Sequence, residues 1–339
     1  MNRFLRLIKN SFNKFQINLQ GKIVLTEAAT GNFVCTSILA AIAGARVFAI
    51  AKDSKFGSVS QIRNEVMSLA KELDIENKIT IIQSLEEIDL GNIDVVTNTG
   101  FVRPINKLII DKLKPDCIIP LMWEPWEFRP DDLDLESAVK KGIKVYGTNE
   151  SDSRLQTMHY IGLTVLYFLL KEKRSPFSSK ILVIGCEKFN KAIEEELKKL
   201  NYFVFSFLTD EYNASNISAY DTIVVAEHTY PKMIIGNSKE SLIHCSSLTA
   251  DQLIIHISGN VDFTTLICKH YPDKPASFGY MSYTTDFIDP ISVFDLHSAG
   301  LKVAEGMIQA KSANLKGLEF KNFMEKAFPA TAFVDKKYW

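Results

Sequence analysis

Short apolar runs alternate with longer stretches of helical pattern through most of the chain. A parallel strand pair needs a crossover of about a dozen residues or more, usually a helix, so this alternation restricts the chain to helices packed on mostly parallel sheets. In the first half the strand candidates are KIVLT, RVFAIA, ITIIQ, IDVVTN, DCIIPLM and IKVYG. Between them lie the helical stretches FVCTSILAAIAGA, SVSQIRNEVMSLAKEL, PINKLIIDKLK and DLESAVKKG. In the second half the strands are KILVIG, YFVFSF, DTIVVAE, LIIHIS and ASFGYM, with helices over FNKAIEEELKKL, SKESLIHC and DFTTLICKH.

The expected fold is α/β: two Rossmann-like, doubly wound domains with mostly parallel sheets and an interdomain cleft. A chain of 339 residues is long enough for a core in each. Two long helical patterns set the domain plan. SDSRLQTMHYIGLTVLYFLLKEKRS runs straight into KILVIG, and PISVFDLHSAGLKVAEGMIQAKSA follows the last strand of the second unit. Such helices would carry the chain out of one domain and back, giving a first domain over 1–150 completed by 297–339 and a second over 151–296.

The opening MNRFLRLIKNSFNKF has basic and apolar residues at helical spacing but not the continuous apolar core and cleavage site of a signal peptide. It reads as an amphipathic helix packed on the body, with peripheral membrane contact as the alternative. No later stretch approaches the ~20 apolar residues of a bilayer span. Lysine plus arginine number 39 against 40 aspartate plus glutamate, so no net field draws the chain to nucleic acid. The five cysteines, Cys35, Cys117, Cys186, Cys245 and Cys268, are odd in number and lack a C-x-x-C pair. That fits neither a disulfide framework nor a zinc site and points to a reducing compartment, the cytoplasm.

The stretch ILVIGCEKFNKAIEEELKKL, residues 181–200, has the strand, turn and helix that cradle a dinucleotide. In G-x-G-x-x-G the first glycine permits the turn, the second lets backbone approach the pyrophosphate, and the third packs helix on strand. Here the six positions are Gly185, Cys186, Glu187, Lys188, Phe189 and Asn190, so only the first glycine is present. Glu187 would set a carboxylate against a pyrophosphate.

GIKVYGTNESDSRLQTMHYIGLTVLYFLL followed by KILVIG resembles the region joining the two domains of the D-2-hydroxyacid dehydrogenases. These share an architecture with formate dehydrogenase and, more distantly, adenosylhomocysteine hydrolase. In that family a strand ending in Asn-Thr leads to Ser-Arg, then to a helix carrying a His, then to the Rossmann strand. Here Thr148 and Asn149 stand in reversed order, and Ser153, Arg154 and His159 keep the spacing. Element order matches over nearly the whole chain, motif similarity over about residues 140–186.

The resemblance implies NAD or NADP as cofactor and a homodimer formed through the second domain. It also shows departures. The family spacing puts the acid for the ribose hydroxyls at Leu208, with Asp210 two residues later as either a shifted ligand or an ordinary loop aspartate. Where family members have an Arg in A-R-G-G-x-V-D, this chain has IHISGNVDF, so Ser258 takes the place that would polarise a substrate carbonyl. The family's acid/base His has no clear counterpart among Asp286, Asp289 and His297. The glycine-rich loop that holds a substrate carboxylate corresponds to LMWEPWEFRPDDLDL, with Trp123, Glu124, Pro125, Trp126, Glu127 and Arg129. This loop is ill suited to a 2-oxo acid. It would stack a sugar or base, or take an amine or hydroxyl against Glu124 and Glu127; the alternative is a rigid turn with packed tryptophans.

Other strand ends supply candidates. Glu27, Thr30, Gly31 and Asn32 lie between a strand and a helix, and Asp53 ends the next strand: either an anion site or a capped structural turn. Asn98, Thr99 and Gly100, and Asn149 beside Thr148 and Glu150, would lie where open α/β sheets bind ligands. His228 and Glu227 end a strand together, either as acid and base or as surface residues. His159 reads as an interface histidine and His256 as buried structure. No histidine and carboxylate set has metal-ligand spacing, and no G-x-S-x-G elbow or P-loop is present.

Two readings follow. In the first, a divergent oxidoreductase-like protein binds a small molecule, with NAD or NADP, in the cleft and acts on something other than a simple 2-oxo acid. In the second, a dehydrogenase-like chain has lost NAD binding and serves as a ligand-binding or partner subunit.

Overall fold

The computed structural model describes residues 3–213 and 216–336 and separates two units, Met1–Leu155 with Pro290–Trp339, and Gln156–Asp289. The first unit opens with helix α1 (Arg3–Phe15), whose Leu5, Ile8, Ser11 and Phe15 recur on one face and are buried. Met1 and Asn2 of the expected opening helix lie outside the described residues. Strands β1 (Ile23–Glu27), β2 (Arg46–Ile50), β3 (Ile79–Ile82), β4 (Val95–Val96), β5 (Ile118–Pro120) and β6 (Lys144–Thr148) alternate with helices α2 (Cys35–Ile42), α3 (Val59–Glu72), α4 (Lys107–Lys112) and α5 (Leu135–Lys141). Helix starts follow capping chemistry: Ser58 and Gln61 form a reciprocal capping box on α3, and Asn106 and Asp134 cap α4 and α5.

The second unit holds α6 (Thr157–Lys171), β7 (Lys180–Gly185), α7 (Glu187–Lys198), β8 (Phe203–Leu208), β9 (Thr222–Ala226), β10 (Met233–Gly236), β11 (Ile243–His244), β12 (Leu253–Ser258), β13 (Asn260–Val261) and β14 (Lys269–Tyr271). The chain then returns to the first unit as α8 (Ile291–Ser312), α9 (Gly317–Ala327) and β15 (Ala330–Thr331).

In the first unit the strand order is β15-β6-β5-β4-β1-β2-β3, parallel except for β15, so the winding reverses between β1 and β4. Helix α8 is bound to α1 by a hydrogen bond from Ser11 to Ser298 (2.8 Å) and by the Lys14–Asp295 ion pair, and Phe294, Leu301, Val303 and Met307 are buried in the same core as Ile8 and Phe15. Each such side chain contributes about 1.5–3 kcal/mol.

In the second unit the five-stranded parallel order is β14-β12-β9-β7-β8, with the reversal between β7 and β9. A small parallel sheet, β11-β10-β13, supplies Ile234, Ile235 and Ile243 to the core formed by Leu182, Ile184, Ile223, Val225 and Ile254. This small sheet is the main departure from the expected elements. SKESLIHC forms turns and β11 rather than a helix, DFTTLICKH forms a short 3₁₀ turn and β14, and ASFGYM is a turn rather than a strand. The reason is local: Asp262 accepts hydrogen bonds from the Thr264 amide and hydroxyl, which closes a tight turn in place of a helical one. Gly279, at φ 85°, does the same for ASFGYM.

Candidate functional site

Open α/β sheets take ligands where the winding reverses, outside the carboxyl ends of the strands. In the second unit that point lies between β7 and β9, and it brings Gly185 and Cys186 beside Glu227 and His228. Gly185 is demanded by contact: a Cβ there would lie 2.0 Å from the Ala226 carbonyl oxygen. Cys186 is the extended residue before α7, Glu187 opens the helix and faces solvent, and Lys188 is half-buried.

The position of the third glycine is filled, whereas Glu187, at the second, is exposed. Asn190, 4% exposed, donates from Nδ2 to the carbonyls of Gly185 (3.2 Å) and Phe207 (2.7 Å), tying α7 to β7 and β8. Phe189 is 1% exposed, and its ring centroid lies 5.0 Å from that of His228.

Glu227 is 2% exposed and held by four donors. The Thr209 hydroxyl donates to Oε2 at 2.5 Å, and Oε1 accepts from the Thr229 amide (2.6 Å), the Thr229 hydroxyl (2.7 Å) and the Tyr230 amide (3.1 Å). Burial pushes its carboxyl up, but the Thr209 and Thr229 hydroxyls and the two amides outweigh this and hold it below the usual range. Glu227 is therefore an ionised, internally solvated anion at neutral pH. Burial raises the Cys186 thiol, with the Phe189 amide opposing and the Glu227 charge adding to the rise. Ligand atoms of Cys186, Glu227 and His228 lie within 4.8 Å of one another. Sequence spacing hid this cluster, because β8 separates in sequence two strands that are neighbours in space.

Asp210 lies two residues past β8 and is exposed, whereas Thr209 carries the contact to Glu227. Ser258 pairs in register with Ala226, its carbonyl accepts from the Glu227 amide (3.0 Å), and its buried hydroxyl has no hydrogen-bond partner among the described residues.

His256 is fully buried. Its Nε2 lies 2.9 Å from the Gly259 carbonyl and therefore carries the proton, while Nδ1 accepts from the Ser282 hydroxyl at 2.7 Å. Burial holds it below the ordinary histidine value, with His270 adding to this and the Gly259 carbonyl opposing. The folded state thus binds fewer protons than the unfolded one as pH falls below about 6.5, so this stability is complete above that value and lost on acidification. The unfolding free energy of wild type, measured against His256→Gln, is expected to fall by up to about 1.4 kcal/mol per pH unit below about 6.5. Parallel pH profiles for the two proteins would contradict the assignment.

In the first unit the reversal point is built around another buried glutamate. Glu27 (7% exposed) accepts from the Phe101 amide at 3.2 Å, and a Cβ at Gly100 would meet its Oε2 at 2.3 Å. Burial raises its carboxyl, against the Phe101 and Gly100 amides and the Arg103 charge. Thr99 shares hydroxyl contacts with Thr26 and Thr97, and Asn98 accepts from the Met122 amide at 2.9 Å. Asn149 caps its own turn by accepting from Ser151 (3.0 Å).

In the tryptophan loop, Trp126 donates to Glu124 (2.9 Å), which also accepts from the Glu150 amide (3.0 Å). The Arg103 guanidinium lies 5.2 Å from the Trp123 ring centre, and Glu127 is half-buried. A cavity of about 360 Å³ opens where β2, β3 and the loop after β4 end, lined by Lys52, Arg103 and Lys112 with Glu86, Phe101 and Leu90. The sequence pattern nominated residues 98–100 beside it but missed the three cations; Lys52 follows the end of β2, Arg103 follows the turn after β4, and Lys112 closes α4.

No protein-family model matches the chain, and no curated protein matches its sequence. Solved structures do match. A dipicolinate synthase structure from Bacillus subtilis aligns over 87% of this chain and 99% of its own, with TM-score 0.56 and 14% identity. A second dipicolinate synthase structure, from Bacillus halodurans, aligns over 84% and 99%, with TM-score 0.55 and 11% identity. A formate dehydrogenase from Granulicella M. aligns over 87% and 96%, with TM-score 0.45 and 12% identity. The chain has a two-domain, Rossmann-like dehydrogenase fold.

Proposed function

We propose that this chain is a dehydrogenase-fold protein that binds a small molecule without using a dinucleotide, in a ligand-binding or partner role. The observation that carries this reading is the ionised Glu227 carboxylate beside the α7 N-terminus, the place where a Rossmann turn receives a pyrophosphate. Two unit charges at 4 Å repel by about 4 kcal/mol at the effective dielectric of a protein surface. Each 1.4 kcal/mol of such repulsion weakens dinucleotide binding about tenfold. The cavity of the first unit, with Lys52 and Lys112, and with Arg103 already paired to Asp132 (2.7 Å), suits a small anionic molecule instead. The two dipicolinate synthase structures are each described as one component of that synthase, which supports a role beside a partner protein.

A thermal-shift comparison tests the reading. With 1 mM NAD, NADH, NADP or NADPH the midpoint is expected to stay within about 0.5 °C, because a ligand held at 10 μM would add about 2.7 kcal/mol and raise the midpoint by several degrees. A rise of that size with any of the four would overturn it.

A further inference from the structure

We infer that Cys186, Glu227 and His228 form a three-ligand site for a zinc-class divalent cation at the reversal point of the second unit's sheet. The inference rests on the reading that this turn does not take a dinucleotide. The three donor atoms, a sulfur, a carboxylate oxygen and an imidazole nitrogen, lie within 4.8 Å of one another. Bonds of 2.0–2.3 Å in a tetrahedral site place ligand atoms roughly 3.3–3.8 Å apart, so side-chain rotations of about 1 Å close the set. The residues come from two rigid strand ends, β7 and β9, held in register by five parallel pairs.

The surroundings are those of a ligand held in place. Four protein donors fix the Glu227 carboxylate, and Oε2, which accepts only from Thr209 among its hydrogen bonds here, keeps a lone pair for the metal. The Phe189 ring packs against the His228 ring and limits its swing. A thiolate and a carboxylate together balance the two positive charges. Soft sulfur with imidazole selects zinc over magnesium or calcium, which prefer an all-oxygen shell. Three protein ligands leave the fourth tetrahedral position for water or a small molecule, the arrangement of reactive rather than purely structural zinc sites. On binding, the Cys186 S–H bond breaks, the sulfur electron pair goes to the metal, and one proton is released to solvent.

The test is calorimetric titration of the chelator-stripped full chain with zinc chloride, in two buffers of different ionisation enthalpy, beside cobalt(II) absorption. The expected result is one zinc per chain with a dissociation constant tighter than about 10 μM, release of close to one proton, and a thiolate-to-cobalt charge-transfer band. Cys186→Ser and His228→Gln should each weaken binding by about tenfold or more, and Cys186→Ser should abolish the band. Cys245→Ser should change neither. Circular dichroism of the metal-free variants checks that each is folded, so His228→Gln stands in if Cys186→Ser is not. Binding weaker than about 10 μM, or a loss under about tenfold in both folded variants, overturns the site. Dinucleotide binding would refute the underlying reading of the turn; failure of zinc with no dinucleotide binding would refute the metal site alone.

Discussion

Gly185→Ala is expected to cost about 3 kcal/mol, the upper end for overpacking, and to lower the unfolding midpoint of the second unit by several degrees. The added methyl would sit 2.0 Å from the oxygen and 2.5 Å from the carbon of the Ala226 carbonyl, and 2.8 Å from Asn190 Oδ1. The first two atoms are backbone of β9, which is hydrogen-bonded to β7 and β12 and cannot step aside without breaking both pairings. Urea unfolding followed by circular dichroism measures the loss. A cost below about 1 kcal/mol would mean that the sheet yields at this turn and that the contact does not require glycine.

Glu187→Gly combined with Asn190→Gly restores the family's glycine pattern and is expected to destabilise the protein by about 3–7 kcal/mol without creating dinucleotide affinity. Asn190 supplies two buried hydrogen bonds, to Gly185 and Phe207, and removing them strands two carbonyls at about 1–3 kcal/mol each, with the helical glycine adding close to 1. Phe189 stays buried against His228 and the Glu227 anion stays beside the turn, so the buried charge there is unchanged. Denaturant titration gives the first quantity and NADH fluorescence the second. Saturable NADH binding by this variant would mean that the glycines alone were the obstacle.

The parallel α/β plan was legible because a buried parallel strand is apolar along its whole length, as in ILVIG and TIVVA, and each is followed by turn residues. Residues 238–245 and 262–270 misled because their apolar spacing satisfies a helix locally, while Asp262 and the partner strands β10 and β12 decide the outcome. Composition alone could not weigh those contacts. At the site, Gly185 and the pair Glu227 and His228 were readable as strand ends. Asn190 was not: a polar residue in place of glycine looks like a defect until its two carbonyl partners are in view. The approach of Cys186 to Glu227 depends on strand order, with β8 displaced to the edge, and strand order is a tertiary property.

On the proposed reading Glu227, at the end of β9, sets an anion beside the β7–α7 turn in place of a dinucleotide. Calorimetric titration of the stripped wild-type protein with NAD, NADH, NADP and NADPH at low salt tests it most directly, since low salt favours any anionic ligand. No heat beyond dilution is expected up to about 1 mM ligand. Saturable binding of any of the four at about 10 μM or tighter would contradict the claim and restore the turn as a variant cofactor site.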